Sequence, residues 1–367
     1  MVSFGQSILE IDLKKIANNH QSLKQICRSV EIAAAVKANC YGLGSEKIVP
    51  ILYENGCRTF FVAYTHEAAP ISALYKDVNI AVLHGVYQDN IEHFLELNLI
   101  PVINNLFQLE LWQNAAKKYN SILPYILHID TGMRRLAMSE QEFAKYLKSD
   151  YPNAKLIMAM SHLVSSQDNQ DIINQEQLRR FLNIKTQLRA IFSDCKFSLS
   201  NSGGIFLGDE YHFDLCRPGA ALYGIDPAIN CTTGIEQVIT LHAPIIHIDI
   251  LEPGESVGYD CTYFNNTNAP CKIATVPIGY ADGFGRNFSN KLSLYIAGYK
   301  APIIGLISMD LTVIDLSSVP EQYQQIGQLV EVIGKNNSLQ HMANIAQSNQ
   351  YEMLTKLGNR FKKIYNQ

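Results

Sequence analysis

Lys37 closes an apolar run, residues 32–36, and is followed by Ala38-Asn39-Cys40-Tyr41-Gly42-Leu43-Gly44. An amine at the mouth of a buried strand is easily desolvated, and desolvation disfavours its charged form. The neutral amine is a nucleophile toward carbonyls, so a Schiff base is the chemistry this placement offers. A lysine that merely caps a strand at the surface is the plainer reading. The glycines shift the balance, because they let the chain turn sharply beside the amine and leave room for a ligand. No Asp or Glu stands near Lys37 in sequence to pair with it.

Asn201-Ser202-Gly203-Gly204 follows a short apolar run. Small residues there leave backbone N–H groups free to face an anion, and a helix N-terminus would add favourable partial charge. A plain turn with an N-cap serine fits these four residues equally well. Leu215-Cys216-Arg217-Pro218-Gly219 places a guanidinium just beyond another run. It is either a satisfied ion pair or the partner of a ligand atom, and a guanidinium does not give up its proton. Later come Gly258-Tyr259, Gly279-Tyr280-Ala281-Asp282-Gly283 and Ser308-Met309-Asp310. A phenol with an ordinary pKa of about 10 needs positive charge nearby to act as a base at neutral pH.

These residues must be carried by regular elements. Short apolar runs at 32–36, 59–63, 79–83, 100–103, 124–129, 156–160, 197–199 and 213–216 alternate with helix-like stretches such as 11–27, 46–55, 106–118 and 175–192. Eight such units over this length predict a (β/α)8 TIM barrel, for which roughly 250 residues is typical. A doubly wound sheet competes, but no GxGxxG turn follows the first run. The ends of the runs carry Lys37, Tyr64, His84, Asn104, Asp130, His162, 200–202 and Arg217. Barrel active sites are built at that face.

After Gly224 the pattern changes: 227–234 resembles a linker, and then strands dominate at 243–251, 271–276, 292–296, 303–316 and 329–333, with 339–347 and the last residues helical. The expected organisation is a barrel domain over 1–226 and a mainly β domain over 227–367, to which residues 1–10 lend a strand.

Composition narrows the function classes. With 30 Lys plus Arg against 34 Asp plus Glu, nothing favours nucleic acid. No apolar run is long enough to span a bilayer, and residues 1–7 lack the basic start and apolar segment of a secretory signal. The eight cysteines form no CxxC pair, so no structural metal is expected and reduced thiols in a cytoplasm are the simplest account.

Taken in order, the motifs closely resemble alanine racemases, fold-type III pyridoxal-phosphate enzymes, across nearly the whole chain. The family's Lys-Ala-Asn-x-Tyr-Gly, Asp-Thr-Gly-Met, strand-end His, Asn-Ser, Arg-x-Gly, lone Tyr, Gly-Tyr-Ala-Asp-Gly, Met-Asp and Tyr-Glu stand here at 37–42, 130–133, His162, 201–202, 217–219, Tyr259, 279–283, 309–310 and 351–352. The resemblance implies that Lys37 binds pyridoxal 5'-phosphate as a Schiff base. Tyr41, Asn201, Ser202, Gly219 and Tyr351 would hold it, and Arg217, braced by His162, would face its ring nitrogen. Arg135 would steer the substrate carboxylate, and Tyr280 would line the entrance. It further implies a homodimer in which Tyr259, Met309 and Asp310 reach into the other subunit's site. Lys37 and Tyr259 would then be two bases on opposite faces, interconverting L-alanine and D-alanine for peptidoglycan.

Departures from the family pattern include His128, where many relatives have a lysine, and Ser308, where cysteine is common. His128 or a bound anion is expected to brace Arg135. The alternatives are a broad-specificity or serine racemase and, further off, a fold-type III decarboxylase. Decarboxylases of that kind typically have an acidic residue at the position of Arg217.

Overall fold

The computed structural model describes residues 5–228 and 233–367, so half of the expected linker, with Cys231, lies outside the described residues. The chain divides into two units, Lys15–Gln237 and, together, Met1–Lys14 with Val238–Gln367.

In the first unit, strands Ala34–Ala35, Thr59–Val62, Asn79–Val82, Ile100–Ile103, Leu123–His128, Ala154–Met160 and Lys196–Ser198 pair side by side in chain order, all parallel. An eighth, Leu215–Cys216, closes the ring. It pairs in parallel with Glu31–Ile32, and the Ala33 and Ala35 N–H groups donate to Cys216 and Pro218. On its other side the Asp214 and Arg217 N–H groups donate to Phe197 and Ser200. The strands are buried on both faces, which is why they read as continuous apolar runs rather than alternating ones. Inside the ring Ala33, Ala35 and Ala81 make room for Phe61, Met158 and Met160, the filled core of a barrel rather than a pore.

The surrounding helices begin where their sequences provide caps. The Asn105 side chain accepts from the Gln108 N–H to start Leu106–Lys118, Ser139 and Glu142 form a capping box for Glu140–Tyr146, and Asp171 caps Ile172–Arg189.

The second unit is mainly β. Its larger sheet runs Tyr299–Pro302, Ser293–Ile296, Leu329–Ile333, Ile239–Pro244, Ile8–Asp12, Lys362–Asn366. A three-stranded sheet joins His247–Leu251, Cys271–Val276 and Thr312–Asp315, and Ser256–Val257 pairs with Tyr263–Phe264. Three expectations need correcting. The run 243–251 is two strands, because the Ile245 N–H bonds to Gln328 in one sheet and the Ile246 N–H to Thr275 in the other. The run 303–316 is regular only at Thr312–Asp315, with a bridge at Ile303, and the intervening chain loops out with Met309 and Asp310. The last residues are helical only over Gln350–Lys356; Lys362–Asn366 instead pairs in parallel with Ile8–Asp12. Among the described residues no helix is long and apolar enough to cross a membrane, and no cluster of three potential ligands could hold a metal ion.

Candidate active site

Lys37 sits at the end of the first barrel strand, and the chain then does something its residue types do not announce. Ala38, Asn39, Cys40 and Tyr41 all adopt left-handed φ between 53° and 57°. Each non-glycine residue in that region costs roughly 1–2 kcal/mol, so the turn must be held from outside. Cys40 is buried and its N–H donates to Val36. The Asn39 side chain accepts from both the N–H and the hydroxyl of Ser45. The Ala38 N–H donates to Glu67 at 2.6 Å. Burial, and secondarily the charge of Arg135, lowers the pKa of Lys37, while Glu67 pulls the other way. The acid missing from the local sequence is thus supplied from thirty residues away.

The turn delivers Tyr41 to Gly219, where a Cβ would stand 2.3 Å from the phenol oxygen. The Ser202 hydroxyl accepts from the N–H groups of Gly219 and Ala221. With its lone pairs so engaged, its own proton is left to donate outward. Asn201 ties its loop to the one before it, accepting from the Ser166 hydroxyl and from the Gly204 N–H. The expected helix N-terminus at this loop is a single 3-10 turn, Gly204–Phe206, and the turn after Gly219 spans only Ala220–Tyr223. Such short turns carry little macrodipole, so an anion here would rely on individual hydroxyl and N–H donors.

Arg217 is buried, and its guanidinium donates to the Ser198 hydroxyl and to the carbonyls of Ser161 and Leu199. Burial lowers its pKa to about 10, which leaves it cationic at neutral pH without a carboxylate in an ion pair among the described residues. His162 lies within electrostatic reach of Arg217, Arg135, His128 and Lys37, and burial, reinforced by those charges, pushes its pKa well below 6.5. His162 is therefore neutral and adds no positive charge to the site. His128 is neutral too, pushed down to about 3 by burial and then by Arg217 and Arg135. Its Nδ1 bonds to Asn104 at 2.9 Å. The Asn104 amide donates to Leu83 and Val102, so its oxygen accepts and His128 Nδ1 carries the proton. With Nδ1 protonated, Nε2 is the nitrogen left to accept, and Arg135 is near enough to act on His128 electrostatically.

In the β unit, Tyr280 and the Met309–Asp310 loop come together. The N–H groups of Tyr280 and Ala281 donate to Ser308 and Met309, an approach so close that a Cβ on Gly279 would meet the Met309 oxygen at 2.4 Å. Arg360 then spans the two loops, with Nε 3.0 Å from Asp282 and Nη1 2.7 Å from Asp310. Tyr259 opens a separate turn, Tyr259–Cys261, after Gly258. Tyr351 lies in the first turn of Gln350–Lys356. Tyr259, Tyr280 and Met309 are 64%, 45% and 52% exposed. Glu67 and Arg360 were missed from sequence. A glutamate in the first turn of a helix signals a cap, which hints at Glu67; nothing near Arg360 points to its partners.

Fold and geometry together define a class: a β/α barrel and a β domain in one chain, with a desolvated lysine at the first strand end and two hydroxyls, Tyr41 and Ser202, gathered at Gly219. Comparison with known proteins is specific. Residues 11–227 match the family described as alanine racemase, N-terminal domain, and residues 238–365 match alanine racemase, C-terminal domain. An alanine racemase of Rickettsia canadensis is 43% identical over 360 residues, covering 97% of this chain and 98% of that protein. Among solved structures, the Bartonella henselae alanine racemase with covalently bound pyridoxal phosphate is 38% identical, with a TM-score of 0.92 over 98% of this chain and 99% of that one. The biosynthetic alanine racemase of Pseudomonas aeruginosa is 29% identical, with a TM-score of 0.89 over 99% and 100%. The chain belongs to the alanine racemase family.

Proposed function

We propose that this protein is a pyridoxal-phosphate-dependent isomerase that interconverts L-alanine and D-alanine. The observation that carries the reading is the desolvated Lys37 amine beside the Tyr41–Gly219–Ser202 cradle, in a chain of this family. The donor set suits the cofactor: the Tyr41 and Ser202 hydroxyls for a phosphate, an amine for an aldehyde, and for a ring nitrogen a buried guanidinium with no carboxylate in an ion pair among the described residues. Bound there, the cofactor supplies an electron sink that makes an amino acid's α-proton removable.

The chain's own residues do the rest. Tyr41, Ser202 and Gly219, with Asn201 and Tyr351, hold the phosphate. Arg217 keeps its proton and donates to the ring nitrogen, which weakens the sink and disfavours side reactions; a decarboxylase would place an acid there. Arg135 orients the substrate carboxylate. Inversion needs a proton removed on one face and one returned on the other, and Lys37 and Tyr259 serve the two faces. The chain works as a homodimer in which Tyr259, Met309 and Asp310 enter the site of the other subunit, with Tyr280 at the entrance. The outward exposure of Tyr259 and Met309 supports this arrangement. The seven described cysteines are all free, which fits a cytoplasmic protein that supplies D-alanine for peptidoglycan.

The test is a chiral assay of the purified protein with cofactor and L-alanine in heavy water. D-alanine bearing deuterium at the α-carbon supports the reading. Cofactor binding without D-alanine moves the substrate elsewhere, with serine next to be tried.

A further inference from the structure

Glu67 belongs to helix Thr65–Leu74 and performs an ordinary task there: one carboxylate oxygen, Oε2, accepts from the N–H groups of Ala63 (2.7 Å) and Tyr64 (3.1 Å) and caps the helix. That task leaves the other oxygen over. Oε1 accepts from the Ala38 N–H at 2.6 Å, a contact spanning 29 residues to the first peptide of the left-handed turn. The carboxylate therefore bridges the ends of the first two barrel strands directly beside Lys37. Capping needs one acceptor, whereas the bridge needs a second one and its charge. Charge-assisted bonds of this kind are roughly twice as strong as neutral ones, and the turn they hold is strained at four consecutive residues.

We propose that Glu67 is the positioning residue for Lys37, fixing the left-handed turn that aims the amine and setting an anion beside it. The proposal rests on the reading of Lys37 as the cofactor-binding lysine. The charged and titratable groups facing that amine are Arg135, Glu67 and His162. Arg135 disfavours protonation and Glu67 favours it, so the two set opposite limits on when the amine is neutral.

Glu67→Gln separates the two tasks. Its carbonyl oxygen still caps the helix, so the fold is retained, but its NH2 meets the Ala38 N–H donor to donor and the charge is gone. Glu67→Asp keeps the charge and shortens the reach. In apoprotein, competitive acetylation by isotope-labelled acetic anhydride, read at the Lys37 peptide by mass spectrometry, gives the amine's titration midpoint. The rate at which added pyridoxal phosphate attaches covalently is followed by absorbance. Glu67→Gln is expected to lower the midpoint by roughly 1 pH unit and to slow attachment several-fold. Glu67→Asp is expected to hold the midpoint near the wild-type value while slowing attachment. A wild-type midpoint and attachment rate in Glu67→Gln would overturn the proposal, as would an equal midpoint shift in both variants. Borohydride trapping in the wild type tests the Lys37 reading separately. Cofactor fixed on another peptide sinks that reading, whereas cofactor on Lys37 with an unresponsive Glu67→Gln sinks only the role of Glu67.

Discussion

The Tyr41 hydroxyl occupies the space a side chain on residue 219 would take, with 2.3 Å between the phenol oxygen and a Cβ built on Gly219. The Gly219 N–H donates to Ser202, so one residue ties together both candidate phosphate hydroxyls. Gly219→Ala should push Tyr41 away and weaken cofactor affinity about tenfold, the equivalent of roughly one lost hydrogen bond. Equilibrium dialysis against pyridoxal phosphate reads this directly, and unchanged affinity would remove Tyr41 from the cradle.

Tyr259→Phe deletes one oxygen on an exposed turn, so the fold and cofactor affinity should stay as they are. Racemisation should fall by a factor on the order of 10²–10⁴, the usual worth of a positioned acid or base. Wild-type-like turnover in both directions would end the two-base proposal.

Arg217→Lys keeps the charge but cannot reach the Ser198 hydroxyl and the Ser161 and Leu199 carbonyls together. Leaving such buried groups unpaired costs about 1–3 kcal/mol. Urea unfolding of the apoprotein should show that loss before any cofactor is added. A midpoint equal to wild type would mean that the guanidinium network is not structural.

His128 has a pKa near 3 in the fold, against an ordinary 6.5. The unfolded chain therefore binds more protons between those values. The stability this neutral imidazole contributes is whole above pH 6.5 and is lost as pH falls toward 3, at up to about 1.4 kcal/mol per unit. His128→Gln can still donate to Asn104 but does not titrate, so its unfolding free energy should decline less steeply from pH 6.5 to 4. Parallel pH profiles for the two proteins would contradict the assignment.

Arg360 holds the Tyr280 loop to the Asp310 loop through two carboxylates. Asp282 is buried, which raises its pKa, and Arg360 counters this. Arg360→Met should loosen both loops and raise KM for alanine several-fold while leaving cofactor affinity intact. A change in cofactor affinity with KM unaltered would place the role of Arg360 elsewhere.

The barrel was readable because its strands are buried on both faces and end on polar residues at one rim; Lys37, Asn104, His162 and Arg217 marked that rim without any contact being known. Two kinds of feature were not readable. The left-handed turn at 38–41 contains no glycine, so its cause lies in contacts to Glu67 and Ser45 rather than in local preference. The loop that carries Met309 and Asp310 looked like continuous strand, since its apolar residues cannot reveal that the chain leaves the sheet after Ile303. The neutrality of His128 and His162 likewise depends on burial among cations, which spacing does not record.

Ile8–Asp12 lies between Ile239–Pro244 and Lys362–Asn366 in the larger β sheet. Synthesis runs in one direction, so this strand leaves the ribosome well before either of its neighbours and has to wait for both. At elongation rates of roughly 5–20 residues per second, it waits on the order of ten seconds or more for residue 239, and longer for residue 366. The barrel segment between can assemble in the meantime, while the larger sheet of the β unit is complete only once Lys362–Asn366 has emerged. A nascent chain that stalls before its final strand would release a finished barrel trailing an open sheet edge, a natural target for chaperones and proteases.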